Sequence, residues 1–291
     1  MGVSDKSGGN MHHYVIVNAF SDRVLAGNPV AVFFDCDDLE PETMQRIAAE
    51  MRLSESTFVS RPRSGGDVHV RIFTPVNELG FAGHPLLGTA LALSLRLQKT
   101  TLNIETAKGV FPFALEYTKL GGDLPVAHVD MRQPSPVIQP YTQVEALLNA
   151  LGLSHSTLPV EQYDVGPRHV FVGAADMATL TALNPDQRAL AEHENMAALC
   201  FCRDRDTWRL RMFSPAYGVV EDAATGSAAG PLALHLARHG WSDYGRSLEI
   251  WQGIEIGHPS KMYGMAQIDG ANYRLHAGGH AIQVAQGTYA I

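Results

Sequence analysis

Arg71-Ile72-Phe73-Thr74-Pro75 returns as Arg211-Met212-Phe213-Ser214-Pro215, close to half the chain further on in a sequence of 291 residues. Each copy reads as the end of a strand, with proline as the stop. After the first come Asn77-Glu78-Leu79-Gly80-Phe81-Ala82-Gly83-His84-Pro85, and after the second Glu221-Asp222-Ala223-Ala224-Thr225-Gly226-Ser227. Both continuations hold an acid, a glycine turn and the opening of a run of small apolar residues. A self-similarity at this spacing points to two like-folded halves, each aiming a helix N-terminus at a common cleft.

The runs that follow support that reading. Pro85-Leu86-Leu87-Gly88-Thr89-Ala90-Leu91-Ala92-Leu93 is a helix apolar on every side, which must be surrounded by protein. Ser227 to Ala237 has the same character and stops at Gly240, a glycine suited to the position just past a helix end. Two such helices in a chain otherwise rich in short strands imply a sheet curved round each. The expected class is α+β, with two pseudo-symmetric halves, each a mostly antiparallel sheet or barrel wrapped round a central helix.

Strands are expected at Tyr14–Val17 and Val30–Phe34, parted by the turn residues Gly27-Asn28-Pro29. A helix opens near Pro41, with Asp38 available to cap it, and buries Met44, Ile47, Ala48 and Met51. Thr57-Phe58-Val59 restarts a strand, and Val68 to Phe73 alternates into the first copy of the repeat. The Pro-rich stretch Gln133 to Pro140 marks a boundary, after which Val144, Leu147, Leu148 and Leu151 give an amphipathic helix closed by Gly152. The division is 11–132 for the N-terminal half and 133–280 for the C-terminal half. The last strand, about 281–291, is expected to complete the first half, and 1–10 to form a flexible tail.

Composition sets outer limits. A hydrophobic fraction of 45% with 18% charged residues is that of a globular protein of about two domains. A formal net charge of -8 argues against nucleic acid or an anionic membrane as partner. No apolar run approaches the ~18–20 residues needed to span a bilayer. The first ten residues lack the apolar core of a secretory signal, which implies a cytoplasmic protein. Cys36, Cys200 and Cys202 make neither a disulfide framework nor a Cys-x-x-Cys metal site, and are expected as reduced, buried thiols.

Three residues stand out chemically. Glu55, in Leu53-Ser54-Glu55-Ser56-Thr57, lies between an amphipathic helix and an apolar strand. It either solvates a loop or, partly desolvated, has a pKa raised toward neutrality and can give and take protons. His84 precedes a helix opening on proline, where the positive helix end favours a neutral imidazole and free amides suit a carboxylate; the plain alternative is a capping histidine. Asp222 is either a capping anion or a second titratable group, which the repeat would place across a cleft from His84. Arg168 and His169 are expected to be loop-exposed, and His12 and His13 beside the tail are not expected to bind metal. His-Glu-x-x-His, Walker, serine-elbow and dinucleotide patterns are missing from the sequence, so a site here would run acid/base chemistry without metal or cofactor.

Several of these phrases together resemble the PhzF family. They are Gly27-Asn28-Pro29-Val30-Ala31-Val32, Leu53 to Val59, Phe73-Thr74-Pro75 with Glu78, Phe81 to Pro85 and Gly88-Thr89, and Glu221-Asp222 with Thr225-Gly226-Ser227-Ala228. The resemblance covers Met11 to Ile291. Asn77-Glu78-Leu79, Gly166 to Gly173 and Phe213 to Asp222 resemble the phenazine-producing members in particular. It implies the diaminopimelate-epimerase fold and an isomerase without metal or organic cofactor. The implied reaction moves a proton from C3 to C1 of trans-2,3-dihydro-3-hydroxyanthranilate. The resulting enol tautomerises to an aminoketone that condenses toward phenazines. By the same resemblance Glu55 abstracts the proton and returns it on one face, while His84 and Asp222 hold the hydroxyl or amine. Ser54, Gly83, Gly226 and Ser227 would hold the carboxylate. A homodimer is implied, with other phenazine-pathway enzymes as candidate partners. Related epimerases use two thiols at the helix starts, but Gly83 and the Asp222–Gly226 turn stand there, which disfavours that chemistry. The alternatives are a family isomerase of another small amino or hydroxy acid, and a non-catalytic ligand-binding protein on the same fold.

Overall fold

A computed structural model describes residues 10–118 and 124–291 of the chain. Of the expected tail only Asn10 falls within them, and it donates its side-chain amide to Asp38 at 2.8 Å. The N-terminal half runs β1 (Met11–Ala19), β2 (Asn28–Phe33), α1 (Pro41–Met51), β3 (Glu55–Ser60), β4 (Val68–Phe73), β5 (Glu78–Leu79), α2 (Gly83–Leu97), β6 (Thr101–Thr106), β7 (Gly109–Tyr117) and β8 (Val126–Gln133). Then follow β9 (Val137–Pro140), α3 (Val144–Leu151), β10 (Glu161–Asp164), β11 (Arg168–Gly173), α4 (Met177–Thr181), α5 (Gln187–Ala191), β12 (Ala197–Asp204), β13 (Thr207–Ser214), β14 (Val219–Asp222), α6 (Gly226–Arg238), β15 (Leu248–Gln252), β16 (Ser260–Asp269) and β17 (Asn272–Ala290).

The two halves pair their strands alike. β1–β2 is antiparallel, β2–β3 parallel, β3–β4 antiparallel, β4–β6 parallel, and β6–β7–β8 antiparallel. β10–β11, β11–β12, β12–β13, β13–β15 and β15–β16–β17 repeat that series of directions. Their closing strands join the halves into one sheet. β17 pairs with β16 at its start, with β8 through Leu275–Ile282, and with β1 through Ala281–Ala290; β9 pairs with β10.

Inside each curved sheet lies one helix. α2 is buried from Gly83 to Ser94 and α6 from Gly226 to Ala237, as their wholly apolar sequences require. Gly240 takes a left-handed conformation just after α6, and Gly152 does so after α3. Met44, Ile47 and Ala48 of α1 are buried, with Met51 packed beside them. One detail differs from the expectation. Asp38 does not cap α1; the capping position falls at Glu40, which makes no side-chain cap, and Asp38, two residues earlier, accepts from Asn10. Among the described residues no helix is long and apolar enough to cross a membrane.

The repeated phrase has a physical basis. Arg71 donates two hydrogen bonds to Glu78, both 2.7 Å, and lies over the Phe73 ring. Arg211 donates likewise to Glu221 at 2.9 and 2.8 Å and lies over Phe213. In both, a strand period of two puts the arginine and phenylalanine on one face, and the pair ties the strand to the short strand that leads into the central helix. The second pair is buried, with side-chain exposures of 7% and 9% against 20% and 39% for the first. Arg211 also donates to the carbonyls of Leu180, Thr181 and Leu183. Arg211→Ala should therefore cost about 3–5 kcal/mol of stability, since it strands a buried Glu221. Arg71→Ala should cost ~1 kcal/mol or less. Equal costs in urea unfolding would contradict this assignment.

Candidate active site

α2 and α6 meet N-terminus to N-terminus between the halves. A Cβ on Gly83 would land on the backbone of Gly226 and Ser227, 2.5 Å from the Gly226 carbonyl carbon. A Cβ on Gly226 would strike the Phe20 ring and stand 3.2 Å from the His84 amide. Glycine at both helix starts is what allows the contact. Neither helix has a side-chain cap, so first-turn amides are left for a ligand. A cavity of about 140 Å³ lies at this junction, a size for one small molecule. Glu55, Gly83 and His84 line it from one half, and Asp222, Thr225, Gly226 and Ser227 from the other.

Glu55 opens β3, paired in parallel with Val30 of β2, and its side chain is 15% exposed. Its Oε2 has no hydrogen-bond partner and lies 3.2 Å from His84 Nδ1. Burial first, and then the charge of Asp222, push the Glu55 carboxyl up to about 8. Asp222, at the end of β14, is equally enclosed but supplied with donors. Asn28 Nδ2 donates to Oδ1 and Thr225 Oγ1 to Oδ2, each at 2.7 Å, and the amides of Ala223 and Ala224 add to them. Burial raises Asp222 to about 6 against the pull of those donors. Of the pair, Glu55, with no donor on Oε2, is pushed further toward its neutral form, and Asp222, held by four donors, better keeps the charge. Burial lowers His84 to about 3 although the Pro29 carbonyl accepts from its ring. Glu55 is itself protonated at such a pH and gives the imidazolium no help, so His84 is neutral, with Nε2 unpartnered.

These raised pKa values make stability depend on pH with a definite sign. A carboxyl at about 8 in the folded state and 4.5 ordinarily stabilises the fold fully below the lower value, and that contribution is lost as pH rises through the upper one. Unfolding free energy should fall between those limits by up to about 1.4 kcal/mol per pH unit, and Glu55→Gln should flatten the slope. An unchanged slope in that variant, by denaturant titration, would place the proton elsewhere.

Of the residues singled out in the sequence, Glu55, His84, Asp222, Gly83, Gly226 and Ser227 come together at this cavity. Ser54 does not face it. Its hydroxyl donates to Asn28 Oδ1 at 3.0 Å, which makes a chain from Ser54 through Asn28 to Asp222 across the two halves. Asn28 was visible only as part of the Gly27-Asn28-Pro29 turn. Gln252, which accepts from the Thr225 amide and donates to the Asp222 carbonyl, gave no local signal. His169 corrects an expectation. It is not loop-exposed but 1% exposed in β11, with Nε2 3.0 Å from Ser227 Oγ. Strand alternation leaves Arg168 half-exposed, where it pairs with Asp164 at 3.3 Å, and turns His169 inward onto α6; both line the cavity. Glu161, His235 and His239 converge closely enough to suggest a metal site. Arg238, however, donates to Glu161 at 2.7 Å and already supplies the positive charge there. The three cysteines are buried free thiols away from the cavity.

Residues 17–287 match the signature of PhzC-PhzF, the phenazine biosynthesis-like protein family. The chain belongs to this family. It is 58% identical to the trans-2,3-dihydro-3-hydroxyanthranilate isomerase of Pseudomonas aeruginosa, over 92% of this chain and 94% of that one. Identity to the enzyme of the same name from Pseudomonas fluorescens is 54%, over 96% and 99%. Among solved structures, the PhzF-family phenazine biosynthesis protein of Bacillus anthracis superposes with a TM-score of 0.83 at 25% identity, covering 97% of this chain and all of that one. A hydroxyproline epimerase from Agrobacterium vitis, 14% identical with a TM-score of 0.64, shares the fold alone, over 96% and 91%. The PhzC-PhzF match takes in Asn28, Glu55 and His84 as well as Asp222, so it spans both walls of the cavity.

Proposed function

We propose that this chain isomerises trans-2,3-dihydro-3-hydroxyanthranilate, moving a proton from C3 to C1, on the way to phenazines. One observation carries the reading, a buried Glu55 with no hydrogen-bond donor on Oε2 beside a donor-rich Asp222, both lining a cavity between two helix N-termini. The shared name of the 58% and 54% identical relatives favours this acid over another small amino or hydroxy acid.

The chemistry asks for little more. The reaction shifts one proton and two double bonds, with no net redox change. The substrate carboxylate takes the first-turn amides at Gly83 and Gly226 with the Ser227 hydroxyl. Glu55 delivers its proton to C1 and receives the C3 proton on the same face, so the carboxyl ends the cycle neutral as it began. The enol left at C3 tautomerises to the ketone. Neutral His84 and anionic Asp222 hold the hydroxyl and amine and steady the charge that spreads over the ring. This reverses the order expected from the sequence, in which an ionised Glu55 abstracts first, and follows from a burial that pushes the carboxyl toward its neutral form with no donor on Oε2.

The halves are taken as 11–132 and 133–280, with 281–291 completing the first. The setting is taken as a cytoplasmic homodimer, with other phenazine-pathway enzymes as candidate partners. Purified protein given the substrate should consume the diene absorbance and form a product of unchanged mass before condensation. A folded protein that leaves the substrate untouched would overturn the proposal.

A further inference from the structure

We infer that His169 is a positioning residue for substrate binding, its Nε2–H donating to Ser227 Oγ so that the serine's own hydrogen is committed to a carboxylate in the cavity. The inference rests on the proposed function in one respect, that the ligand is a small carboxylate.

His169 lies in β11, paired on one side with β10 and on the other with β12, and its ring reaches the first turn of α6. Nε2 stands 3.0 Å from Ser227 Oγ, and Nδ1 is buried without a partner. Burial pushes the ring's pKa down to about 3 against the distant charge of Asp164. The imidazole is therefore neutral and holds one hydrogen between two nitrogens. On Nδ1 that hydrogen would be a buried N–H with no acceptor, the costlier kind of orphan. On Nε2 it points at Ser227, and only a lone pair is left unpaired.

The tautomer then decides what the serine does. With Nε2–H donating, Ser227 Oγ has spent acceptor capacity and keeps its hydrogen for another partner. Among the described residues His169 is the sole hydrogen-bond partner of that hydroxyl. Ser227 lines the cavity in the first turn of α6, where the helix dipole already favours an anion. The opposite tautomer would make the hydroxyl donate to the ring and leave a lone pair facing the ligand. His169 itself lines the cavity beside Ser227. It acts through Ser227, and Gly83 packed on the Ser227 backbone keeps that residue in place.

The first test is on the wild-type protein. Nitrogen-15 NMR of the histidine rings should show His169 protonated at Nε2 only, and a proton on Nδ1 would overturn the inference. The second is a double-variant cycle read by binding of anthranilate, the aromatic carboxylate analogue. His169→Leu and Ser227→Ala should each weaken binding roughly 10-fold, the scale of one hydrogen bond to a charged group. The double variant should bind no more weakly than Ser227→Ala, and His169→Asn, which retains a donor, should recover part of the loss. Additive losses in the double variant would mean a packing role and overturn the inference. So would wild-type protein that does not bind anthranilate. Should His169→Leu fail to fold, the NMR result decides alone. Anthranilate binding with the expected coupling, but no turnover of the dihydro substrate, would sink the proposed function and leave the role of His169 standing.

Discussion

Glu55→Gln is expected to lower the isomerisation rate by about 10²–10⁴-fold or more, with substrate affinity little changed. Glutamine keeps the size and polarity of the carboxyl but can neither give nor take the proton. The variant should fold normally. The side chain it replaces is enclosed, its Oε2 has no hydrogen-bond partner, and its charge state is opposed by Asp222. Kinetics should separate the two carboxyls. Asp222→Asn keeps acceptor and shape but removes the anion, and breaks the geometry set by Asn28 and Thr225. A Glu55→Gln enzyme with wild-type kcat would remove Glu55 from the chemistry altogether.

Gly83→Ala should be nearly as damaging, for a steric rather than chemical reason. The three atoms nearest the added methyl are backbone atoms of Gly226 and Ser227, all within 3 Å, and backbone cannot swing aside as a side chain can. The two helix starts would have to separate, and a misplacement of ~1 Å at a catalytic site can cost 10²-fold in rate. A stability loss of about 1–3 kcal/mol should accompany it, as for other overpacked cores. Gly80→Ala is the control, since its methyl would meet only the flexible Lys108 side chain. Wild-type kcat/KM in Gly83→Ala, measured beside that control, would show that the close contact of α2 and α6 is not needed.

Much of the architecture was legible because it rests on local patterns. The Arg–x–Phe phrase recurs because each copy makes the same arginine–glutamate pair and the same arginine–ring contact. The central helices announce themselves as apolar on every side. What escaped the sequence depends on partners distant along the chain. Asn28 matters through Asp222, 194 positions away, and Ser54 turns toward Asn28 rather than the cavity. His169 and Arg168 look alike in sequence, and only the facing of β11 separates a buried residue from an exposed one. The resting proton state of Glu55 and Asp222 lies further still from the sequence. It comes from the donors each receives once both are enclosed, four for Asp222 and none on Oε2 of Glu55.

The most direct test of the account is a single-turnover conversion of trans-2,3-dihydro-3-hydroxyanthranilate in D₂O at neutral pD, with wild type and Glu55→Gln side by side and product deuterium located by NMR. Wild type should convert the substrate and place a solvent deuteron at C1, delivered by the exchanged Glu55 carboxyl, while Glu55→Gln should leave the diene intact. Transfer of the original C3 protium to C1, or equal conversion by the two proteins, would contradict a proton-bearing Glu55 at the centre of the reaction.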